Sequence, residues 1–159
     1  MKKFSAIRWL VAGVTGSFAF WYFQVLTTGV TITQFMGEQI VTEGGYPEVL
    51  VPFIGWGVHL AVSLSYALLF ALIFAAIPLE SAGGLLVAGV VLAGLLGWIA
   101  TLLTAPAIAA TISLLSGHGF PAELPALNTE VDLPLYNHLL FFGVVWVVTT
   151  LLPVWRGKI

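Results

Sequence analysis

The sequence predicts an all-α polytopic membrane protein, an antiparallel four-helix transmembrane bundle. Three observations predict it. First, 8% of the 159 residues are charged and 60% are hydrophobic. A soluble domain carries about 25% charged residues, so charge this sparse cannot coat a water-facing surface. Second, four apolar runs, roughly 6–28, 50–77, 84–115 and 134–154, each reach the roughly 20 residues that cross about 30 Å of hydrocarbon. They are continuous rather than alternating, which selects helices over barrel strands. Third, charge is sorted along the chain. The basic residues Lys2, Lys3, Arg8, Arg156 and Lys158 lie at the two ends. Six of the seven acids lie elsewhere: Glu38, Glu43 and Glu48 after the first run, and Glu123, Glu130 and Asp132 before the fourth. The positive-inside rule then places both termini in the cytoplasm.

The expected spans are 6–28, 50–77, 84–106 and 134–154, in a single transmembrane domain with outer loops 29–49 and 107–133. The start MKKFSAIRWL resembles a signal peptide. The apolar run that follows exceeds a 7–15-residue h-region, and Phe20, Trp21, Tyr22 and Phe23 stand where small residues would be needed for cleavage. An uncleaved first span, starting near Ser5 and leaving the bilayer near Thr28, is the better reading. A polar extension through Thr31, Thr33 and Gln34 is allowed. Gly13, Ser17, Gln24 and Thr28 fall near one face at helical spacing. They read as a packing face with Gln24 bonding across helices, or as a path for a solute.

In the first outer loop, EGGYPE (43–48) punctuates a turn. The second span starts near Pro52, which suits a first helical turn, where the missing N–H has no partner to lose. In the third span Gly89, Ala93, Gly97, Thr101 and Ala105 repeat every four residues. This small-xxx-small run lets backbones approach where lipid supplies no hydrophobic drive. Pro106 predicts a kink or break, after which 107–117 either prolongs the helix or lies along the outer surface. Asp132 before Pro134 predicts an N-cap and first turn for the fourth span, which is expected to stop at Pro153. Trp9 and Trp155 suit the inner interface, and Tyr46, Trp56 and Tyr136 the outer one.

Motifs for chemistry are sparse. There is no cysteine, which excludes disulfides and thiolate chemistry. There is no phosphate-binding glycine loop with its lysine, no HExxH and no GxSxG. No span holds an acid or a base beyond its ends, whereas ion pumps generally carry charge on such groups. No basic face offers itself to nucleic acid. Histidine remains. His59 and His138 fall in the second and fourth spans, which run in the same direction, so the two rings are expected in the same outer half of the bilayer. Ser63 and Tyr66 share the polar stripe of His59, and with Ser17 and Gln24 they are expected in the bundle interior. Phe141, Phe142, Val145 and Thr149 share the face of His138, with Asn137 beside it at the outer interface.

Three readings of the histidines compete. Each ring locks helices by hydrogen bonds. Alternatively, His59 and His138 are axial ligands of a haem b held between two helices, although the outer side offers no Lys or Arg for the propionates. Or each ring binds separately, to a chlorophyll-type magnesium or to a metal shared with an acid of the outer loops. A zinc site would need His118 or Glu123 as a further ligand, and the sequence assigns none. His118, between glycines, reads as a solvated loop residue or as a pH sensor on the outer face.

At the pairs His59-Leu60 and His138-Leu139 the chain resembles small bacterial four-helix inner-membrane proteins. In those, an HL pair opens the second and fourth spans and a proline sits in the third, as Pro106 does here. The resemblance implies this fold and a bacterial inner membrane, and no activity. The function expected is a non-catalytic subunit or scaffold of a larger membrane complex, in contact with lipid and with other subunits or copies of itself. A bis-histidine electron-transfer protein and a passive carrier or channel for a neutral solute are the alternatives. The last would run along Ser17, Gln24 and Thr28 and along Ser63 and Tyr66.

Overall fold

A computed structural model describes residues 6–156, so Lys2, Lys3, Ser5 and Lys158 lie outside the described residues. The described chain forms α1 (Ala6–Thr27), α2 (Ile32–Gly44), α3 (Val51–Ala76), α4 (Ala82–Leu115) and α5 (Leu133–Trp146). The last helix continues through a π-helical turn, Val147–Leu151, into α6 (Leu152–Trp155). Four helical stretches are long and apolar enough to cross a bilayer, the last running Leu133–Trp155. The chain is therefore an all-α, multi-pass integral membrane protein.

Side-chain register fixes the bundle. Gly13 of α1 lies against Leu64 and Ala67 of α3, and the Ser17 carbonyl meets His59, so α1 and α3 are antiparallel. Gly16 lies against Phe141 and Phe20 against His138, which sets α5 antiparallel to α1 on another side. Gly89 faces Trp146 and Gly97 faces Leu139, pairing α4 with α5. The helices form a ring in the order α3, α1, α5, α4, and the closing α4–α3 side is the least tightly packed. The expected small-residue stripe is thus used inside the chain. Gly89, Ala93, Gly97 and Thr101 are buried against α5, and Ala105 is half-buried. Phe70, Phe74, Leu85, Phe141, Phe142 and Val145 fill the core toward the end where α1 begins and α6 finishes.

Three elements differ from the sequence reading. Segment 29–49 is not simply a loop. α1 ends at Thr27, Gly29 turns the chain at φ 71°, and a second helix follows. The Thr31 hydroxyl accepts from the Gln34 N–H at 3.3 Å, and the Gln24 side-chain oxygen accepts from the Ile32 N–H at 2.8 Å. These bonds satisfy donors that a helix start leaves open. Thr33, Met36, Gly37, Ile40 and Val41 are buried, at the spacing of one helical face. Gly45 ends the helix in a left-handed conformation, with the Tyr46 N–H donating to the Val41 carbonyl at 3.0 Å. α2 lies on α3 at backbone contact: a Cβ at Gly37 would collide with the Val51 carbonyl, and one at Gly55 with the Thr33 carbonyl. It also touches α4, and so bridges the loosely packed α3–α4 side.

Pro106 does not break α4, which runs through it and extends to Leu115. Proline frees the carbonyl four residues earlier, here Leu102. The Asn128 N–H donates to that carbonyl at 3.0 Å, so the connection after α4 folds back and replaces the missing partner. Residues 107–115 therefore prolong the helix. The same connection positions α5. Asn128 Nδ2 donates to Asp132 at 3.2 Å, and Asp132 caps Leu135 N–H at 3.4 Å, as expected. Nor does Pro153 end the last span. Its ring cannot accept a normal α turn against the Thr149 carbonyl. The turn before it widens so that the Leu152 N–H reaches the Val147 carbonyl, and the helix continues to Trp155.

Candidate functional site

A cavity of about 460 Å³ lies inside the ring, beneath α2. All five helices α1 to α5 line it. Phe20 and Gln24 come from α1, Thr28 from the turn after it, Ile32 and Met36 from α2, and Val58, His59, Val62, Ser63 and Tyr66 from α3. Ala100, Thr104, Ala107, Ile108 and Thr111 come from α4, and Leu133, Pro134, Asn137, His138 and Phe141 from α5. Its volume falls within the 300–1,000 Å³ range of ordinary ligand sites. Among the described residues no Asp, Glu, Lys or Arg lines it. Lining residues Thr28, Val62 and Ala107 are exposed, so the cavity reaches the surface at the α3–α4 side and beside the α1–α2 turn.

Both histidines line this one cavity, as the shared direction of their helices predicts. The Phe20 ring lies 5.4 Å from each imidazole. His59 Nε2–H donates to the Ser17 carbonyl at 3.0 Å, and the Trp56 ring stands edge-on to it at 5.8 Å. His138 Nδ1–H donates to the Pro134 carbonyl at 2.7 Å and approaches Thr101 Oγ1 at 3.3 Å. Thr101 spends its own proton on the Gly97 carbonyl at 2.8 Å. A carbonyl only accepts, so these bonds fix the tautomer of each neutral ring. His59 keeps a lone pair on Nδ1, and His138 keeps one on Nε2. Neither nitrogen has a protein partner among the described residues, and neither is sealed from the cavity.

Other polar groups likewise lack partners among the described residues. Ser63 is 4% exposed and makes no hydrogen bond among the described residues. Tyr66 packs its ring on Phe142 at 5.6 Å, and its hydroxyl has no hydrogen-bond partner there either. Asn137, placed by sequence at the interface, is instead 3% exposed, and its side-chain oxygen is unpaired. Ser17 is fully buried, and its hydroxyl faces no partner. Gln24 does not bridge two spans but caps α2. Sequence reasoning named Phe20 only against signal cleavage and Asn137 only at the interface, and it gave no role to Met36, Val58, Thr104 or Ile108 of the lining. Asn137 carried one signal, an amide next to a histidine at the start of an apolar run.

The described residues of the site offer a haem imidazole lone pairs and no cation. Among the described residues the basic groups are Arg8 and Arg156, near the ends of the chain, so none faces the cavity to hold propionates. The nitrogen of His59 that turns to α1 is engaged by a carbonyl. Among the described residues no three His, Asp or Glu side chains converge. His118 instead bonds Ser116 at 2.9 Å at the far end of α4. Comparison with protein-family models, with curated proteins and with solved structures finds no match.

Proposed function

We propose that this integral membrane protein is a non-catalytic binder of a neutral, mostly apolar small molecule, held in the bundle beneath α2. The observation that carries the reading is the cavity itself, apolar in most of its lining yet holding polar groups without protein partners. In hydrocarbon an unsatisfied polar group costs several kcal/mol, so such groups point to an occupant. This develops the carrier reading. The scaffold reading keeps its support from the sparse extramembrane mass and from spans uncharged beyond their ends, but Gly89 and Gly97 of α4 pack on α5 of the same chain and so do not serve an outside helix. We further propose a bacterial inner-membrane location with both termini cytoplasmic. Its support is the basic residues at the terminal end and the acidic residues at the α2 end, together with the likeness of the His-Leu pairs. A reporter fused to either terminus and found outside would overturn that orientation.

Native mass spectrometry of the protein released from nanodiscs tests the binding reading. A small neutral adduct that is lost in Ser63→Leu is the expected result. A bare protein in both forms refutes it.

A further inference from the structure

We infer that the occupant is a hydroxyl-donating aromatic lipophile, a hydroquinone-type headgroup on an apolar tail. This rests on the binding reading above and adds the class of ligand. The reasoning starts from what the cavity offers. His59 Nδ1 and His138 Nε2 are lone pairs, because the other nitrogen of each ring is spent on a carbonyl. Asn137 adds a buried, unpaired oxygen. Ser63 is buried and open to either role. At the two imidazoles the unmet need is therefore for hydrogen-bond donors, while Asn137 Nδ2, Ser63 and Tyr66 can donate in return. A hydroxyl supplies a donor and an acceptor together, whereas a ketone or an ether set against either imidazole would face lone pair with lone pair.

Charge narrows the class further. Among the described residues no cation lines the cavity to meet a carboxylate or phosphate, and Asp132 caps the helix that carries His138, which disfavours an anion there. Nor does any carboxylate among them line it to meet an amine. The aromatic character comes from Phe20, whose ring lies 5.4 Å from both imidazoles at interplanar angles of 56° and 72°, a set of rings that a further aromatic ring can meet edge to face. Two acceptors on different helices match two hydroxyls on one ring. The tail has an exit. Val62 on α3 lines the cavity and is 43% exposed, on the side of the ring where α3 and α4 pack least.

The test uses the full chain in nanodiscs under anaerobic, reducing conditions. Binding is read by tryptophan quenching for decyl-hydroquinone, its dimethyl ether and, without reductant, the matching benzoquinone. The hydroquinone is expected to bind roughly 10- to 30-fold more tightly than the ether, the effect of two net hydrogen bonds. His59→Phe and His138→Phe are each expected to shrink that preference while retaining binding of the ether. Equal affinity for hydroquinone and ether overturns the donor assignment and leaves the binding reading standing. So does tighter binding of the benzoquinone. A preference unchanged in both variants overturns the role of the histidines. Failure of all three probes, together with a bare protein in native mass spectrometry, removes the binding reading itself. If a variant does not fold, the wild-type comparison of hydroquinone with ether still decides.

Discussion

Gly55→Ala is expected to lift α2 off the bundle. The added Cβ would collide with the carbonyl oxygen of Thr33, a backbone atom that cannot rotate away. Restoring van der Waals separation requires α2 to shift by about 1 Å, enough to forfeit a good part of each dispersion contact along the interface. The expected cost is about 1–3 kcal/mol, the usual range for overpacking. Gly37→Ala should cost a similar amount, because its Cβ would meet the Val51 carbonyl across the same interface. One displacement relieves both collisions, so the double variant should cost clearly less than the sum of the singles. Denaturant titration in mixed micelles reads the stabilities, and hydrogen exchange at the α2 amides reads the displacement. Since Ile32 and Met36 of α2 roof the cavity, probe binding should weaken in parallel. A Gly55→Ala protein with wild-type stability would refute the reasoning. So would strict additivity, which would mean that each collision is relieved locally.

Three further substitutions test the fold around the site. Gln24→Leu removes the acceptor of the Ile32 N–H and should cost about 1–3 kcal/mol, the penalty for an unpaired partner. Exchange should accelerate at Ile32, and unchanged exchange there would show that Gln24 does not cap α2. Asp132→Ala removes the cap of α5 and should lower stability by about 1 kcal/mol, with Asp132→Asn recovering most of it. Pro106→Ala returns an N–H to α4 that competes with Asn128 for the Leu102 carbonyl. The Asn128 amide should then lose protection, and retained protection would show that the connection is held by something else.

Much of the fold was legible because its cause is local. Continuous apolar runs set the spans, and Asp132 before Pro134 set the start of the last one. α2 was hidden by its outward face. Gln34, Glu38, Gln39 and Glu43 read as loop, while the opposite face, Thr33, Met36, Gly37, Ile40 and Val41, includes a threonine and a glycine that do not register as apolar. The helix became legible only through its partners: Gly55 makes room for it, and Gln24 caps it. At both prolines the helix continues where a break or a stop was expected. Pro106 and Pro153 do remove hydrogen bonds, but a remote N–H and a widened turn replace what was lost. Such compensation comes from residues distant in sequence or from a change of helical pitch, and residue type at the proline does not encode it. The histidines were found because they are rare polar groups in apolar runs and their helices share a direction. The cavity between them was not, since it depends on how five helices leave space.

Ser63→Leu separates a ligand site from a structural polar core. Ser63 is buried in the cavity wall, and its hydroxyl has no protein partner. If the cavity is room kept for an occupant, leucine enters it without displacing the backbone. The substitution then removes an unpaired group worth about 1–3 kcal/mol and adds dispersion contacts in place of a void. Stability of the ligand-free protein should hold or rise, while binding of the hydroquinone probe should fall by roughly tenfold or more as the space beside Phe20 closes. That opposition, gain in stability with loss of binding, is the mark of a site kept open at a cost to the fold. A protein destabilised by the leucine would mean that Ser63 anchors ordered water in a network that the bundle needs. In that case the polar groups of the cavity would serve the fold, and the case for an occupant would fail with them.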